Sequence, residues 1–393
     1  MKKNTLKLLA AVFVMSTTAV VFHSCSDNDD EEIISTGIAS DPNNFKGEVK
    51  SGETVTLDPS KVYKLTGAVA VKAGGTLVIP AGTRIEAIGG TSAYITIEQD
   101  GKIYANGTAS SPVVFTSPNP TPGSWGGLVI CGKAPINKGT TATAEVGNAT
   151  YGGTNVADNS GILKYVRIEY AGAIFTADKE FNGLSLFGVG NGTTIDNVSM
   201  INGSDDGIEF FGGTVNVSNI VSVANEDDAF DWTEGWNGTA TNIYAKRRAN
   251  GVGNRGIEAD NNSNDNDANP RSNPTIKNAT FIGGTTGEAD GLKLRVGTYG
   301  TFDNIVLSNW ATGINLENNA SVSYFNGANK ITNIKFDAVT TKASAKGNDP
   351  DGTGPLTGPT ITVLPNSYTE STSATGAGSG IATPTWANGW AGL

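Results

Sequence analysis

The chain has 393 residues, a net charge of −11, only 17% charged residues and 51 glycines, with two cysteines and one histidine. The acidity excludes a nucleic-acid binder, which needs a basic face, and two cysteines make neither a disulfide scaffold nor a thiolate metal site. Few charges and much Gly, Asn and Thr argue against a helical protein, while apolar residues spread along the whole chain argue against disorder.

Lys2, Lys3 and Lys7 precede an apolar run from Leu8 to Val21. That is the charged n-region and hydrophobic h-region of an export signal, too short to cross a bilayer as a helix. Phe22-His23-Ser24-Cys25 then places a small residue directly before a cysteine, as lipoprotein signal peptidase requires. Cys25 is therefore expected to carry lipid and to hold the protein to a membrane. A plain secretory signal with an incidental cysteine is the alternative, since Phe22 stands where Leu is usual and His23 is bulky. The acidic run Asp27 to Glu32 that follows resembles the surface-export signal of Bacteroidetes lipoproteins. Removing residues 1–24 takes away three lysines and deepens the charge from −11 to −14. It also removes His23, so the mature chain has no imidazole.

From residue 46 to 340 no helical period appears; short alternating apolar segments recur between Gly, Asn, Asp and Thr. A unit of small, apolar, any, apolar residue repeats at Gly183-Leu184-Ser185-Leu186, Gly207-Ile208-Glu209-Phe210 and Ala229-Phe230-Asp231-Trp232. It returns at Gly256-Ile257-Glu258-Ala259, Gly291-Leu292-Lys293-Leu294 and Gly313-Ile314-Asn315-Leu316, with steps from Leu184 of 24, 22, 27, 35 and 22 residues. A second register sets asparagine before an apolar strand at Asn197, Asn219, Asn242, Asn278, Asn304 and Asn333. Both registers lengthen where Asn261 to Pro274 is inserted. Two registers sharing one period predict two strands per turn of a solenoid, in a coil of about 22 residues with two or three short strands, with the asparagines stacked as an internal amide ladder. The fold class expected is all-β, a right-handed parallel β-helix in a single elongated domain of about 11 to 13 coils. Residues 1–24 read as signal, 25–48 as an acidic flexible tether, 49–345 as the parallel β-helix, and 346–393 as a loop-rich segment ending in a Trp-x-x-Gly-Trp tail.

The phrases IPAGTRIEA, GGTSAYITIEQDGKIYANGTASSPVVFTS and SWGGLVICGKAPIN, with the closing TWANGWAGL, resemble Bacteroidetes surface lipoproteins that carry a right-handed β-helix. The resemblance covers most of residues 60–340 and the last ten. It implies a pectate-lyase-like superfamily fold and little chemistry.

Alternation along each strand sends Ser185, Glu209, Asp231, Glu258, Lys293 and Asn315 outward in one column. Phe187, Phe211, Thr233, Asp260, Arg295 and Glu317 form a second. The doublets Asp205-Asp206 and Asp227-Asp228 lie in the neighbouring turns. Acids stacked about 5 Å apart repel by about 1 kcal/mol or more per pair, so an offsetting cation is expected. Calcium is one, held by Asp205, Asp206, Asp227 and Asp228, because hard cations take several carboxylate oxygens. Acid–base chemistry on sugars is another reading, with Glu209, Asp231, Glu258, Lys293 and Arg295 as candidate catalytic groups. GSDDGIEFF resembles the Asp-Asp motif of polygalacturonases, and GLKLRVG their Arg-Ile-Lys motif. Those enzymes also use a histidine this chain lacks, so any lyase or hydrolase here works without one. A solvated acidic face is the third reading. Asp260 to Asp265 mimics the start of an EF-hand loop, but Asp265 and Arg271 stand where Gly and Glu are required, so it reads as an exposed polar loop. Phe187, Phe211 and Trp236 either face solvent, where Phe211 and Trp236 with Asp260 would bind a sugar, or pack under loops. Cys131 reads as a small strand residue without a disulfide partner.

The function expected is a cell-surface, lipid-anchored β-helix of the outer membrane that binds extracellular glycan and no nucleic acid. A calcium-dependent polysaccharide lyase or glycoside hydrolase is the alternative, and a structural or adhesin-like spacer the second. No cofactor follows from the residues themselves; calcium is the ion the carboxylates would take.

Overall fold

The computed structural model describes residues 38–39, 41–248, 250–348 and 358–393. The expected export signal, Cys25 and most of the expected 25–48 tether lie outside the described residues. The first coil begins inside the tether as read from the sequence, because strand Phe45–Val49 already pairs in parallel with Val62–Val71.

Twenty-five strands join in one continuous sheet wound as a right-handed parallel β-helix. Its first face stacks the strands that carry the small-apolar-x-apolar repeat. In the middle of the stack these are Leu184–Phe187, Ile208–Phe211, Phe230–Thr233, Ile257–Ala259, Asp290–Leu294 and Thr312–Glu317. Inward residues form the core: Leu184, Leu186, Ile208, Phe210, Phe230, Trp232, Ile257, Leu292 and Leu294 are all fully buried. No single coil could bury these side chains; stacking does it for all of them at once.

The second register is more structured than two strands per coil. Each long strand, such as Thr194–Ile201 or Thr239–Lys246, bends at its asparagine and so makes two faces, giving three per coil. Asn197, Asn219, Asn242, Asn278, Asn304 and Asn333 all sit at φ between 52 and 59°. Asparagine tolerates this left-handed conformation better than other side-chain-bearing residues, which explains its choice at a sharp bend. The predicted amide ladder forms in the centre. Asn242 Nδ2 donates to Asn219 Oδ1 at 3.0 Å, Asn278 to Asn242 at 3.2 Å, and Asn304 to Asn278 at 2.9 Å. Its ends attach to aspartates instead, Asn219 to Asp196 and Asn333 to Asp303. One coil earlier Tyr165 takes the bend at φ 49°.

Two antiparallel hairpins interrupt the solenoid. One pairs Ala142–Thr143 with Thr150–Tyr151, the other Ile174–Thr176 with Lys179–Glu180. Among the described residues the one α-helix is Asn319–Phe325, and no helix is long and apolar enough to cross a membrane.

Candidate functional site

The outward column read from the sequence exists. Ser185, Glu209, Asp231, Glu258, Lys293 and Asn315 are register partners from one coil to the next. Outward does not mean solvated, however. A second hydrophobic cluster lies outside the first face, where Ile136, Ala144, Val146, Ala149 and Tyr151 of a second insertion, residues 132–160, meet Val129, Cys131, Phe181, Phe187 and Phe211. Glu234 fastens this roof to the coils, accepting from the Tyr151 hydroxyl and pairing with Lys138 at 2.9 Å.

This roof corrects the expectation for the aromatics. Phe187 and Phe211 are 1% and 5% exposed and stack on each other at 4.0 Å, so Phe211 offers no face to a sugar. Trp236 is 0% exposed inside the coil, stacked on Phe210 at 3.9 Å, with its indole N–H donating to Val215 O. It follows the strand rather than belonging to it, so strand alternation does not apply. Cys131 is a buried free thiol under the insertion, and burial pushes it far above the ordinary thiol range. The polar loop after Asp260 is anchored rather than wholly exposed: Asn261 is fully buried and its Oδ1 accepts from Asn137 at 2.8 Å.

The acids themselves are only partly covered: Asp206 and Asp228 are buried, while Asp205, Glu209, Asp227, Asp231 and Glu258 are half-buried. Among the described residues, three groups of carboxylates bring oxygens within 4.8 Å of one another: Asp205, Asp206 and Asp227; Asp206, Glu209 and Asp231; Asp228, Asp231 and Glu258. The four aspartates expected to share one ion are thus divided, with Asp228 in the last group. Burial, reinforced by neighbouring Asp227 and Glu180, pushes the Asp205 carboxyl up to about 8. Burial first and neighbouring acids second hold Asp206, Glu209, Asp228 and Asp231 well above the usual carboxylate range. Amides supply part of the compensation: Asn182 Nδ2 donates to Glu209 at 2.7 Å and Asn254 Nδ2 to Asp227 at 2.7 Å.

Farther along the column the acids are paired. Arg295 reaches Glu258 at 2.5 Å and Asp260 at 2.8 Å. Lys293 donates to Glu317 at 2.7 Å, which commits it as a countercharge rather than a free base. Asp260 is likewise held by Arg295 rather than presented to a ligand. Arg255, 8% exposed, meets Asp228 at 3.2 Å, Glu258 at 2.5 Å and the rim residue Glu288. Over this stretch opens a groove of about 470 Å³ lined by Arg255, Glu288, Lys293, Arg295, Asn315 and Lys346. Its wall comes from residues 287–289, not from the 261–274 insertion. A depression of similar size on the second face is lined by Thr194, Asn216, Ser218, Thr239 and Thr241. Its one acid, Asp196, is already bonded to Ser218 and Asn219, so it offers no comparable chemistry.

Residues 47–391 match the family described as the pectate-lyase like beta helix domain. The chain belongs to that family. No curated protein and no solved structure matches it. Membership in the pectate-lyase-like family accounts for the solenoid, and chemistry has to be argued from the side chains, because one fold hosts many activities.

Sequence reasoning missed several of those side chains. Glu145 and Glu180 reach the acids from the two hairpins, and their charges help raise Asp205. No periodicity marks them, because both belong to insertions. Arg255 was findable: Asn182, Asp206, Asp228, Arg255 and Asp290 all immediately precede the small residue of the repeat. That position forms a third column beside the two outward ones.

Proposed function

We propose that this chain is an exported, lipid-anchored surface protein of the Bacteroidetes type that binds extracellular carbohydrate along the first face of its β-helix. The observation that carries the reading is the groove over Arg255, Lys293, Arg295, Asn315 and Lys346. It is open, polar and aligned with the coil stack. Its donors and acceptors repeat at the strand spacing of about 4.8 Å, which suits an extended chain with many hydroxyls. Charges already paired within the groove favour hydrogen bonding to hydroxyls over capture of a bare ion. The export signal and Cys25 support the surface location.

A second reading is cation-assisted cleavage of a polysaccharide, favoured by the three carboxylate groups with oxygens inside 4.8 Å. The donors are all hard oxygens, the set that calcium prefers. Carboxyl groups about 5 Å apart also suit a retaining glycoside hydrolysis, with a raised carboxyl as acid. Glu209 and Asp231 are the pair to test.

A glycan array and a sugar-release assay, each with and without about millimolar calcium, separate the readings. Binding without release, weakened by Asn315→Ala with Lys346→Ala, supports the groove. Release of product that disappears in Glu209→Gln and Asp231→Asn supports cleavage. Neither binding nor release would overturn both readings and leave the surface spacer.

A further inference from the structure

The last twenty residues do not continue the solenoid. After strand Tyr368–Glu370 the chain leaves the coil order and runs back along the outside of the third face. Thr375 N and Gly376 N donate to Asn304 Oδ1 at 2.8 and 3.1 Å. One coil back, Thr280 Oγ1 accepts from Ala377 N at 3.0 Å and donates to Gly380 O at 2.9 Å. Ala377, Ala387, Trp390 and Ala391 are buried against Val221 and Tyr244. Trp390 meets Tyr165 edge-on at 5.9 Å, and Gly392 lies against Arg167 and Ile201. The segment therefore crosses six consecutive coils, about 24 Å at the strand spacing.

The seat is shaped for this segment. Gly376 has φ +60°, and a Cβ there would come 2.2 Å from Thr280 Oγ1 and 2.9 Å from Ala279 O. Only glycine allows that approach. Both tryptophan N–H groups are satisfied within the segment, Trp386 on Ala377 O at 2.8 Å and Trp390 on Trp386 O at 2.7 Å. Among the described residues, Asn304 and Thr280 supply the body's polar anchors for the segment. The contact at Asn304 also ends the amide ladder. Its Oδ1 is taken by the segment, and the next asparagine in register, Asn333, turns to Asp303.

We propose that the outer surface of the third face is a peptide-docking site whose occupant is this chain's own residues 374–393, recognised through Gly376 and the Trp386/Trp390 pair. Docking then stands on the surface complementarity and not on the covalent connection. It is independent of the groove on the first face.

The test places a site-specific protease recognition sequence after Ser373 in the full chain. After cleavage, the freed segment should co-elute with the body in native gel filtration at micromolar concentration. A synthetic peptide of residues 374–393 should compete it off. Gly376→Ala or Trp390→Ala should release it at least tenfold more readily, with the far-ultraviolet circular dichroism of the body unchanged. Immediate loss of the wild-type segment from a folded body would overturn the proposal. If cleavage unfolds the body, hydrogen exchange on uncut Gly376→Ala decides. Faster exchange confined to 374–391 and the strands beneath supports docking, and unchanged protection there overturns it.

Discussion

Two stretches of one outward column meet opposite fates. At Glu209 and Asp231 the acids crowd one another beside the segment 132–160, Glu209 answered by the Asn182 amide, and their carboxyls are held well above the usual range. At Glu258 and beyond, each acid meets Arg255, Lys293 or Arg295, and the roof gives way to an open groove. Register and strand type are the same in both. What differs is the residue each coil places at equivalent positions: aspartate at 206 and 228, arginine at 255. A solenoid can therefore host two electrostatic environments a few coils apart without changing its core.

The largest expected effect comes from turning the paired stretch into an unpaired one. Arg295→Ala leaves the largely covered Asp260 without its partner and Glu258 with Arg255 alone, and removing one member of a buried pair costs about 3–5 kcal/mol. Urea denaturation measures it. A loss under about 1 kcal/mol would mean that the two stretches do not differ as described.

The next effect belongs to the crowded stretch and to pH. A carboxyl whose folded pKa is raised contributes its stability below the unfolded value near pH 4 and loses it as pH rises through the folded value. For Asp205 that window runs up to about 8. Stability should fall from about pH 4 to 8, at up to about 1.4 kcal/mol per pH unit for each proton released. Asp205→Asn should make the fall shallower across this window by up to one proton's worth of slope. A profile that is level over this range, or that rises with pH, would contradict the crowding of unpaired acids.

How much of this could be read from the sequence follows from the same contrast. The acids and bases on the strands were legible because period-two alternation and coil spacing place Glu209, Asp231, Glu258 and Lys293 in one column. The asparagine ladder was legible for the same reason, although the left-handed bend that splits each long strand was not. The roof was illegible. Residues 132–160 carry no repeat, so nothing in the sequence says that Ile136 and Tyr151 cover Phe187 and Phe211 or that Glu145 joins the acids. Exposure at Phe211 depended on that insertion, whereas Trp236 was misplaced because it follows its strand, where alternation no longer applies. The C-terminal segment shows the same limit: its Trp-x-x-Gly-Trp pattern is plain, but its seat on Thr280 and Asn304 lies about 70 to 100 residues away.

The smallest effect sharpens the boundary between the two stretches. Glu288 belongs to the rim of the groove, and its side chain is 62% exposed although its partner Arg255 is 8% exposed. Arg255 keeps Asp228 and Glu258 whether or not Glu288 is charged. Pairs with one solvated partner contribute about 0–1 kcal/mol and weaken with salt. Glu288→Gln should therefore lower the unfolding free energy by less than about 1 kcal/mol, and the difference should vanish at about 1 M salt. A loss above about 2 kcal/mol, persisting in salt, would place Glu288 inside the buried network. The paired stretch would then balance its charge through a loop on its rim rather than through the register of its own coils.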